Sequence, residues 1–174
     1  MSARRERPGW HDETRRLETF VASLPPARVL DVACGTGFLT RHLPGDVTAL
    51  DQSDAMLAVA REQASGAHFV QGDALDLPFA PRSFDVVFTA HFYGHLDEEA
   101  RARFLREARR VGSSLVVVDS ALRPGVAEDG SEERELSDGS RFRVYKRYFT
   151  AKRLADEIGG EPVFVGAWYV AAAA

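Results

Sequence analysis

The chain has 174 residues, the size of one domain that can bury its own hydrophobic core, and we expect a single domain over residues 1–174. Hydrophobic residues make up 45% and charged residues 28%, as in a globular protein. The net charge of −4 argues against a broad nucleic-acid interface, which needs a basic face, so no nucleic-acid partner is predicted. No apolar run approaches the roughly 20 residues of a membrane-spanning helix, so no membrane span is predicted either.

Cysteine usage and the N-terminal stretch bear on the compartment. Cys34 is the single cysteine, so neither an intramolecular disulfide nor a cysteine-only zinc site can form. We therefore predict no metal site and a reducing, cytoplasmic location. Residues 1–9 are basic but lack the apolar core of a secretory signal, and we expect them to be a flexible lead-in.

Apolar periodicity and turn residues predict helices and strands that alternate along the first two thirds of the chain. Helices are expected at residues 10–24, 54–64 and 98–111, and a short one is expected after a glycine turn, as far as Leu43. Strands are expected at residues 28–33, 47–51, 67–71, 84–89 and 114–119. This alternation predicts an α/β fold with a parallel sheet and helices on both faces.

The alternation stops after Asp119. Residues 122–140 are polar, acidic and rich in turn residues, and Asp138-Gly139 is a hairpin signal. Thr150 is expected to cap a last helix that ends at Gly159, and residues 162–172 are expected to form a pair of apolar strands.

The stretch VLDVACGTG, residues 29–37, joins a buried strand to a glycine turn at a helix start. Glycines let the backbone approach a ligand closely, and a helix start offers free N–H groups. Thr40 stands where a dinucleotide fingerprint has its third glycine. The carboxylate of Asp31 would repel a pyrophosphate but would suit a ligand with ammonium and sulfonium groups. Asp51, at the end of the second strand, can accept hydrogen bonds from both hydroxyls of a ribose.

Three runs carry a family resemblance: VLDVACGTG, then ALDQSDAML at residues 49–57, then GDALDLPFAPRSFDVVF at residues 72–88. Their order and spacing resemble the class I S-adenosylmethionine-dependent methyltransferases, particularly the small-molecule branch with the ubiquinone-biosynthesis C-methyltransferases. The resemblance covers roughly residues 28–119. It implies a Rossmann-like three-layer αβα sandwich with a mostly parallel seven-stranded sheet and an antiparallel C-terminal strand. It also implies S-adenosylmethionine as cofactor and S-adenosylhomocysteine as product.

The resemblance implies cofactor roles for the residues that match its motifs. The backbone of residues 33–37 would hold the methionine part, with Asp31 near its ammonium group, and Asp51 would hold the ribose. Gln52 and Met56 would line the adenine, and Asp73 would accept from its amino group. The implied cofactor residues are Asp31, Ala33, Gly35, Gly37, Asp51, Gln52, Met56, Asp73, Ala74 and Ala90.

Structural alternatives remain open for four of these side chains. Asp31 can cap the glycine turn, and Asp51 can be a helix N-cap. Asp73 can be an ordinary turn residue, and Met56 can be part of an apolar helix face in the core.

A second group of candidates follows the fourth strand, at the sheet edge where open α/β folds bind ligands. Histidine takes up a proton near neutral pH, so His91 and His95 are candidate catalytic bases. Tyr93, which lies between them, is a candidate acceptor contact. Alternatively, His95 packs structurally at the start of the next helix.

Residues 120–149 correspond to the variable insert that covers the acceptor site in the resembled family. Basic and aromatic residues alternate within residues 141–149, which suits an anionic or aromatic acceptor, and Lys146 and Tyr148 are candidate acceptor contacts. The alternative is an edge strand on which the charges of Arg141 and Arg143 prevent aggregation.

The function that the resemblance implies is transfer of the sulfonium methyl group to a small-molecule acceptor by in-line displacement. The protein then acts mainly by alignment and exclusion of water, and a base is needed only for an acceptor that arrives protonated. Two alternatives are a cofactor-binding module without catalysis and a nicotinamide-dependent oxidoreductase. Thr40 and Asp31 argue against the oxidoreductase. The sequence is silent on the oligomeric state.

Overall fold

The computed structural model describes residues 8–135 and 141–174, and only the backbone of residues 132, 134, 135 and 142. Its helices are α1 (Trp10–Ala22), α2 (Asp54–Gln63), α3 (Glu98–Val111) and α4 (Ala151–Ile158). Its strands are β1 (Ala27–Val32), β2 (Gly45–Asp51), β3 (His68–Gln71), β4 (Phe84–Ala90), β5 (Gly112–Ser120), β6 (Asp129–Glu135), β7 (Arg141–Arg147), β8 (Glu161–Val165) and β9 (Tyr169–Ala173). Except for the short helix after the glycine turn, the predicted elements are therefore present, with ends that differ by a few residues.

Seven strands form one sheet in the order β3-β2-β1-β4-β5-β9-β8. Strands β1 to β5 pair in parallel, whereas β9 runs antiparallel to both β5 and β8. The mostly parallel seven-stranded sheet with an antiparallel C-terminal strand is thus confirmed. The order of the strands in the sheet reverses at β1, because β2 and β3 lie on one side of it and β4 and β5 lie on the other. Ligands of open α/β sheets bind at such a switch point, beyond the carboxyl ends of the strands.

Alternate side chains of the central strands enter two separate cores, as a three-layer sandwich requires. Leu30 and Val32 of β1 belong to the first core, which also contains Phe104 of α3 and Leu154 of α4. Val29 belongs to the second core, together with residues of α1. The strands are continuous hydrophobic runs because both faces of the sheet are covered.

Local sequence explains where the helices begin and end. The Ser53 side chain caps α2 by accepting from the Met56 N–H, and the Thr150 side chain caps α4 by accepting from the Arg153 N–H. Gly159 ends α4 with a φ of 74°, a left-handed conformation that glycine adopts without strain. The N-cap of α2 is therefore Ser53, directly before the first residue of the predicted helix, and not Asp51.

The helix predicted between the glycine turn and Leu43 is wrong. That segment contains only a three-residue 3-10 helix, Thr40–His42, and Leu43 is already extended. Pro44 explains the extended conformation, because the residue before a proline is disfavoured in the α region. The side chain of Thr40 is also engaged outside the segment, since it donates to Asp31.

The insert is an antiparallel hairpin of β6 and β7, which pair from Asp129↔Arg147 to Glu135↔Arg141. The hairpin turn predicted at Asp138-Gly139 lies outside the described residues, as do residues 1–7 of the predicted lead-in. Among the described residues, no helix is both long and apolar enough to cross a membrane.

Candidate functional site

The Asp51 carboxylate lies at the carboxyl end of β2, beside the turn that follows β1. Its Oδ2 accepts from the Gly35 backbone N–H at 2.8 Å, and its Oδ1 accepts from the Ser53 N–H at 2.9 Å. Both oxygens are therefore held in place by the backbone. Each carboxylate oxygen has a further lone pair, so Asp51 can still accept hydrogen bonds from two hydroxyl groups.

A cleft of about 310 Å³ opens next to Asp51. Leu50 and Ala74 are buried in its apolar floor, whereas Asp51, Gln52 and Asp73 supply its polar groups. The lining residues are Ala33, Leu50, Asp51, Gln52, Gly72, Asp73, Ala74, Leu75, Phe92 and Leu96. The fold thus brings together predicted cofactor residues from the ends of β1, β2 and β3.

The position of Asp73 fits both roles that the sequence left open, a turn residue and a contact of the adenine. Its Oδ1 accepts from the Leu75 N–H at 2.8 Å, which is the hydrogen bond of a turn residue. Its side chain is nevertheless exposed at the cleft. Its role toward an adenine amino group stays a prediction.

The glycine turn has left-handed residues with different surroundings. Gly35 has a φ of 56°, and a Cβ built there would meet no atom within 4 Å. Gly37 has a φ of 77°, but its Cβ would come within 3.2 Å of the Ala60 backbone in α2. Gly35 therefore presents its backbone to open space, where a ligand can approach, whereas Gly37 lets α2 pack closely.

Asp31 is 2% exposed, and its Oδ2 accepts from the Thr40 hydroxyl at 2.6 Å. Burial raises the pKa of Asp31 to about 7, against the lowering effect of that hydrogen bond, and the charge of Asp51 adds to the rise. A cationic group next to Asp31 would favour its ionised form. Thr40 is a contact that sequence reasoning missed, because it considered this residue only as a departure from a glycine pattern.

Cys34, in the same turn, has a thiol pKa raised to about 12, first by burial and then by the charges of Asp31 and Asp51. The thiol is therefore neutral near pH 7, which disfavours a role as a nucleophile. Among the residues that the structure describes, no group of three His, Cys, Asp or Glu side chains is placed to hold a metal ion.

Met56 and Ala90 lie outside the lining of the cleft. Met56 is 44% exposed on α2, so the alternative that it belongs to the core is wrong. Ala90 ends β4 and packs against the second core. Their contacts with a cofactor stay predictions.

The two candidate histidines differ in their surroundings. His91 follows β4 with a φ of 59°, its N–H donates to the Val118 carbonyl at 2.9 Å, and its ring lies 5.2 Å from the Tyr169 ring. The Nδ1 of His95 lies 2.7 Å from the Tyr145 carbonyl oxygen, which ties this residue to β7. This contact fits the structural alternative for His95, whereas His91 stays the better candidate for a base.

Tyr93 lies in the core, where its ring packs between Phe104 and Phe149. Its side chain is 1% exposed, and burial raises its pKa to about 12, with a further contribution from Glu157. Hydrophobic packing has thus placed this ring among the core residues, and it is not part of the cleft lining. Contact between Tyr93 and an acceptor would require this core to open.

Lys146 is also buried. Its Nζ lies 2.5 Å from Oδ1 of Asp119, and the two side chains are 2% and 0% exposed. The other carboxylate oxygen, Oδ2, accepts from the Gly94 N–H at 2.7 Å. The ammonium group of Lys146 is therefore engaged within the protein, and the pair fastens β7 to the end of β5.

The ionised form of Asp119 is maintained by its partners. Burial by itself raises the pKa of this carboxyl, but the charges of Lys146 and His91, together with the hydrogen bonds, hold it below its usual value. Sequence reasoning missed Asp119 as a partner, because no pattern signals a pair 27 residues apart.

An aromatic and cationic cluster lies farther along the same edge of the sheet. The guanidinium carbon of Arg123 lies 4.3 Å from the Trp168 ring centre and 5.5 Å from the Tyr148 ring centre. Tyr148 was predicted as an acceptor contact, whereas Arg123 was missed because it is one arginine in an irregular segment. We call Arg123, Tyr148 and Trp168 the arginine cluster.

Glu13 of α1 binds the backbone of residues 167–169, which includes Trp168 of the arginine cluster. Its carboxylate accepts from the N–H groups of Ala167, Trp168 and Tyr169 at 2.8, 2.6 and 2.8 Å. A signal for this residue exists in the sequence, because Glu13 continues the stripe of Leu17 and Val21 at helical spacing. A carboxylate on an apolar stripe indicates a buried partner.

Comparison with known proteins agrees with this geometry. Residues 29–113 match a family described as a methyltransferase domain. A demethylmenaquinone methyltransferase of Thermotoga maritima is 38% identical over 102 residues, which are 56% of this chain and 44% of the relative. A phthiotriol/phenolphthiotriol dimycocerosates methyltransferase of Mycobacterium leprae is 42% identical over 115 residues, 59% of this chain and 40% of the relative.

The solved structure titled "DhpI-SAM-HEP complex" resembles this fold with a TM-score of 0.75 and 28% identity, over 95% of this chain and 86% of that chain. These findings show that the chain is similar to methyltransferases in sequence over residues 29–113 and in fold over 95% of its length. The chain spans less than half the length of the two curated relatives.

Proposed function

We propose that this chain binds S-adenosylmethionine in the Asp51 cleft and transfers its methyl group to a small-molecule acceptor. The observation that carries the proposal is the Asp51 carboxylate. It stands at the end of β2, and two backbone N–H groups orient it toward a cleft with an apolar floor. A carboxylate in that position suits a ribose, whose two hydroxyls are hydrogen-bond donors.

The donor set of the cleft fits this cofactor. The open space beyond Gly35 leaves room for a ligand against the turn backbone. Asp31 is buried next to the turn, outside the cleft lining, and would offer its carboxylate to an ammonium group that approaches the turn. The half of the cleft near Ala74 and Leu75 offers apolar surface and the Asp73 carboxylate for an adenine. A dinucleotide fits less well, because its pyrophosphate would lie at the glycine turn, close to the Asp31 carboxylate.

The cofactor supplies an activated methyl group when bound, so the work of this chain is alignment and exclusion of water. Asp51 would fix the ribose, and the backbone of residues 33–37 would orient the methionine part. Ala90 and His91, at the end of β4, would border the reacting centre. His91 would accept a proton from an acceptor that arrives protonated.

The relatives support a small-molecule acceptor. By their names, they methylate demethylmenaquinone and phthiotriol or phenolphthiotriol dimycocerosates. For this chain we propose only that the acceptor is a small molecule. We also propose that the chain catalyses methyl transfer and does not merely bind the cofactor, and that it is cytoplasmic.

Isothermal titration with S-adenosylhomocysteine, S-adenosylmethionine and NAD tests the cofactor assignment. We expect micromolar binding of the first two ligands, on the order of −8 kcal/mol, and no measurable heat with NAD. A folded chain that binds NAD, or that binds none of the three, would contradict the proposal. Release of S-adenosylhomocysteine with a panel of quinols, phenols and carboxylates then distinguishes an enzyme from a binding module.

A further inference from the structure

The arginine cluster stands beyond the cofactor cleft on the side where an acceptor would arrive. Across the carboxyl edge of the sheet, Asp51 ends β2, the glycine turn follows β1, His91 follows β4 and Arg123 follows β5. A cofactor that extends from Asp51 toward β4 therefore has its reactive end on the side nearer the arginine cluster. Trp168 enters the same edge because it precedes the antiparallel strand β9.

Three hydrogen bonds hold the backbone around the cluster in place. The Ala121 N–H donates to the Trp168 carbonyl at 2.9 Å, which joins the segment after β5 to the segment before β9. The Leu122 N–H donates to the Phe149 carbonyl at 2.8 Å, which joins it to the end of the hairpin. The carboxylate of Glu13, which is 6% exposed, fixes the Trp168 backbone from the other side.

The chemistry of a stacked guanidinium favours an oxyanion. Rings lie near the guanidinium of Arg123, while its N–H groups point outward in the guanidinium plane in a fork that matches a carboxylate or phosphonate. An arginine has five such N–H donors, so it can hold an anion in addition to a protein partner.

The half-buried position of the cluster favours the same ligand class. All three members of the arginine cluster are half-buried, so an anion there would be partly shielded from water, and its attraction to Arg123 would be stronger than at an open surface.

We propose that Arg123, stacked on Trp168 and Tyr148, binds an oxyanion group of the methyl acceptor, so that the acceptor is a small organic anion. This inference rests on the proposed function and adds the charge of the acceptor to it. Tyr148 and Trp168 provide flat apolar walls for the organic part, and Arg123 provides orientation.

Binding of simple probes to the chain saturated with S-adenosylhomocysteine tests this inference. Benzoate and phenylphosphonate are the anions, and benzamide is the neutral molecule of the same shape as benzoate. Ligand-detected NMR should show at least one of the anions binding about tenfold more tightly than benzamide, as expected for hydrogen bonds to a charged group. Comparison of the two anions shows whether a planar or a tetrahedral group is preferred.

Variants test whether Arg123 is responsible for the preference for anionic probes. R123Q should abolish the preference for the anion, and R123K should retain part of it, because lysine keeps the charge but loses the planar fork. R106Q, which removes an exposed arginine of α3, is the matched control and should bind the probes as the wild type does. If R123Q does not fold, R123K and the wild type still decide the question.

Equal binding of benzamide and both anions by the wild type, or an unchanged preference in R123Q, would overturn the inference. Titration of S-adenosylhomocysteine into ligand-free samples of the same proteins separates this failure from a failure of the proposed function. R123Q should keep wild-type affinity for S-adenosylhomocysteine, because Arg123 is not part of the cofactor cleft lining.

Discussion

The carboxylate of Glu13 occupies the space where a side chain at Gly166 would have to lie. A Cβ built on Gly166 would come within 2.1 Å of Oε1 of Glu13. The first helix and the turn before the last strand therefore fit each other. The helix provides the Glu13 carboxylate, and the turn provides three N–H donors and, at Gly166, the space that the carboxylate fills. This contact holds Trp168 and Tyr169 at the edge of the sheet where the parallel strands end.

Loss of the Glu13 carboxylate should destabilise the fold. E13Q places an amide among three N–H donors that need an acceptor, so we expect a loss of about 2 kcal/mol in the free energy of unfolding. E62Q, the same change on the exposed face of α2, should stay within about 0.5 kcal/mol of the wild type. Urea denaturation measures both, and equal midpoints for the two variants would contradict the role of Glu13.

The steric match should appear as coupling between the two positions. G166A should cost about 1–3 kcal/mol in the wild type, because its methyl group meets the carboxylate. In the E13A background the obstacle is gone, so the same substitution should cost less. Additive effects in this double-mutant cycle would show that the two residues do not meet in solution.

Removal of the Asp51 carboxylate should abolish most cofactor affinity. D51A takes away the acceptor for two ribose hydroxyls and the anchor of the Gly35 N–H, so binding of S-adenosylhomocysteine should weaken about 100-fold. D46A changes an exposed aspartate near the opposite end of β2 and should leave the affinity unchanged. Calorimetric titration, with thermal melting as a check of folding, tests the pair. Undiminished affinity in folded D51A would rule out the ribose assignment.

The effect of D31N should depend on pH. Burial raises the pKa of Asp31 from 3.8 to about 7, so the unfolded chain loses this proton at lower pH than the folded chain. Asp31 therefore destabilises the fold increasingly between about pH 4 and pH 7, and constantly above pH 7. D31N should be more stable than the wild type by about 4 kcal/mol at pH 8, and by less at pH 5.

Urea denaturation at pH 5, 7 and 8.5 measures this difference. An advantage of D31N that does not change with pH would mean that the ordinary pKa persists in the fold. The same variant should bind S-adenosylhomocysteine more weakly at pH 8, since it offers no charge to the ammonium group.

The buried pair of Lys146 and Asp119 should differ sharply from a surface pair of similar length. K146M leaves a buried carboxylate without its partner charge, and we expect a loss of about 3–5 kcal/mol. K152A breaks the exposed pair of Lys152 and Asp156, joined at 2.6 Å, and should cost no more than about 0.5 kcal/mol.

The double variant D119N/K146M checks the physical cause. Because it removes both charges, it should be more stable than K146M alone. A K146M protein as stable as K152A would show that the pair contributes little to the attachment of the hairpin.

Much of the fold could be predicted because short-range rules decide it. Ser53 and Thr150 cap their helices, Gly159 ends one, and the apolar runs of the central strands require cover on both faces. The segment after the glycine turn was predicted wrongly, because Pro44 and a hydrogen bond from Thr40 to Asp31 outweigh helical periodicity over so few residues.

The gathering of Asp51, Gln52 and Asp73 at one cleft was predictable for a related reason. Asp51, Gln52 and Asp73 lie directly after strands, and parallel strands bring their carboxyl ends to one edge of the sheet. Position along the chain therefore determines position in the cleft. The same reasoning failed for Tyr93 and Lys146, because the direction of a side chain depends on what packs around it.

The sequence by itself determined the order of elements, the parallel sheet and the edge at which a nucleoside can bind, since these depend on local propensity and on a pattern that repeats along the chain. Only the tertiary structure decided that Lys146 pairs with Asp119, that Glu13 receives the backbone of residues 167–169 and that Arg123 stacks on Trp168. Each of these contacts joins residues at least 27 positions apart. Such partners are selected by burial and charge within the packed fold, where an unpaired buried group would be unstable, and no local pattern specifies them.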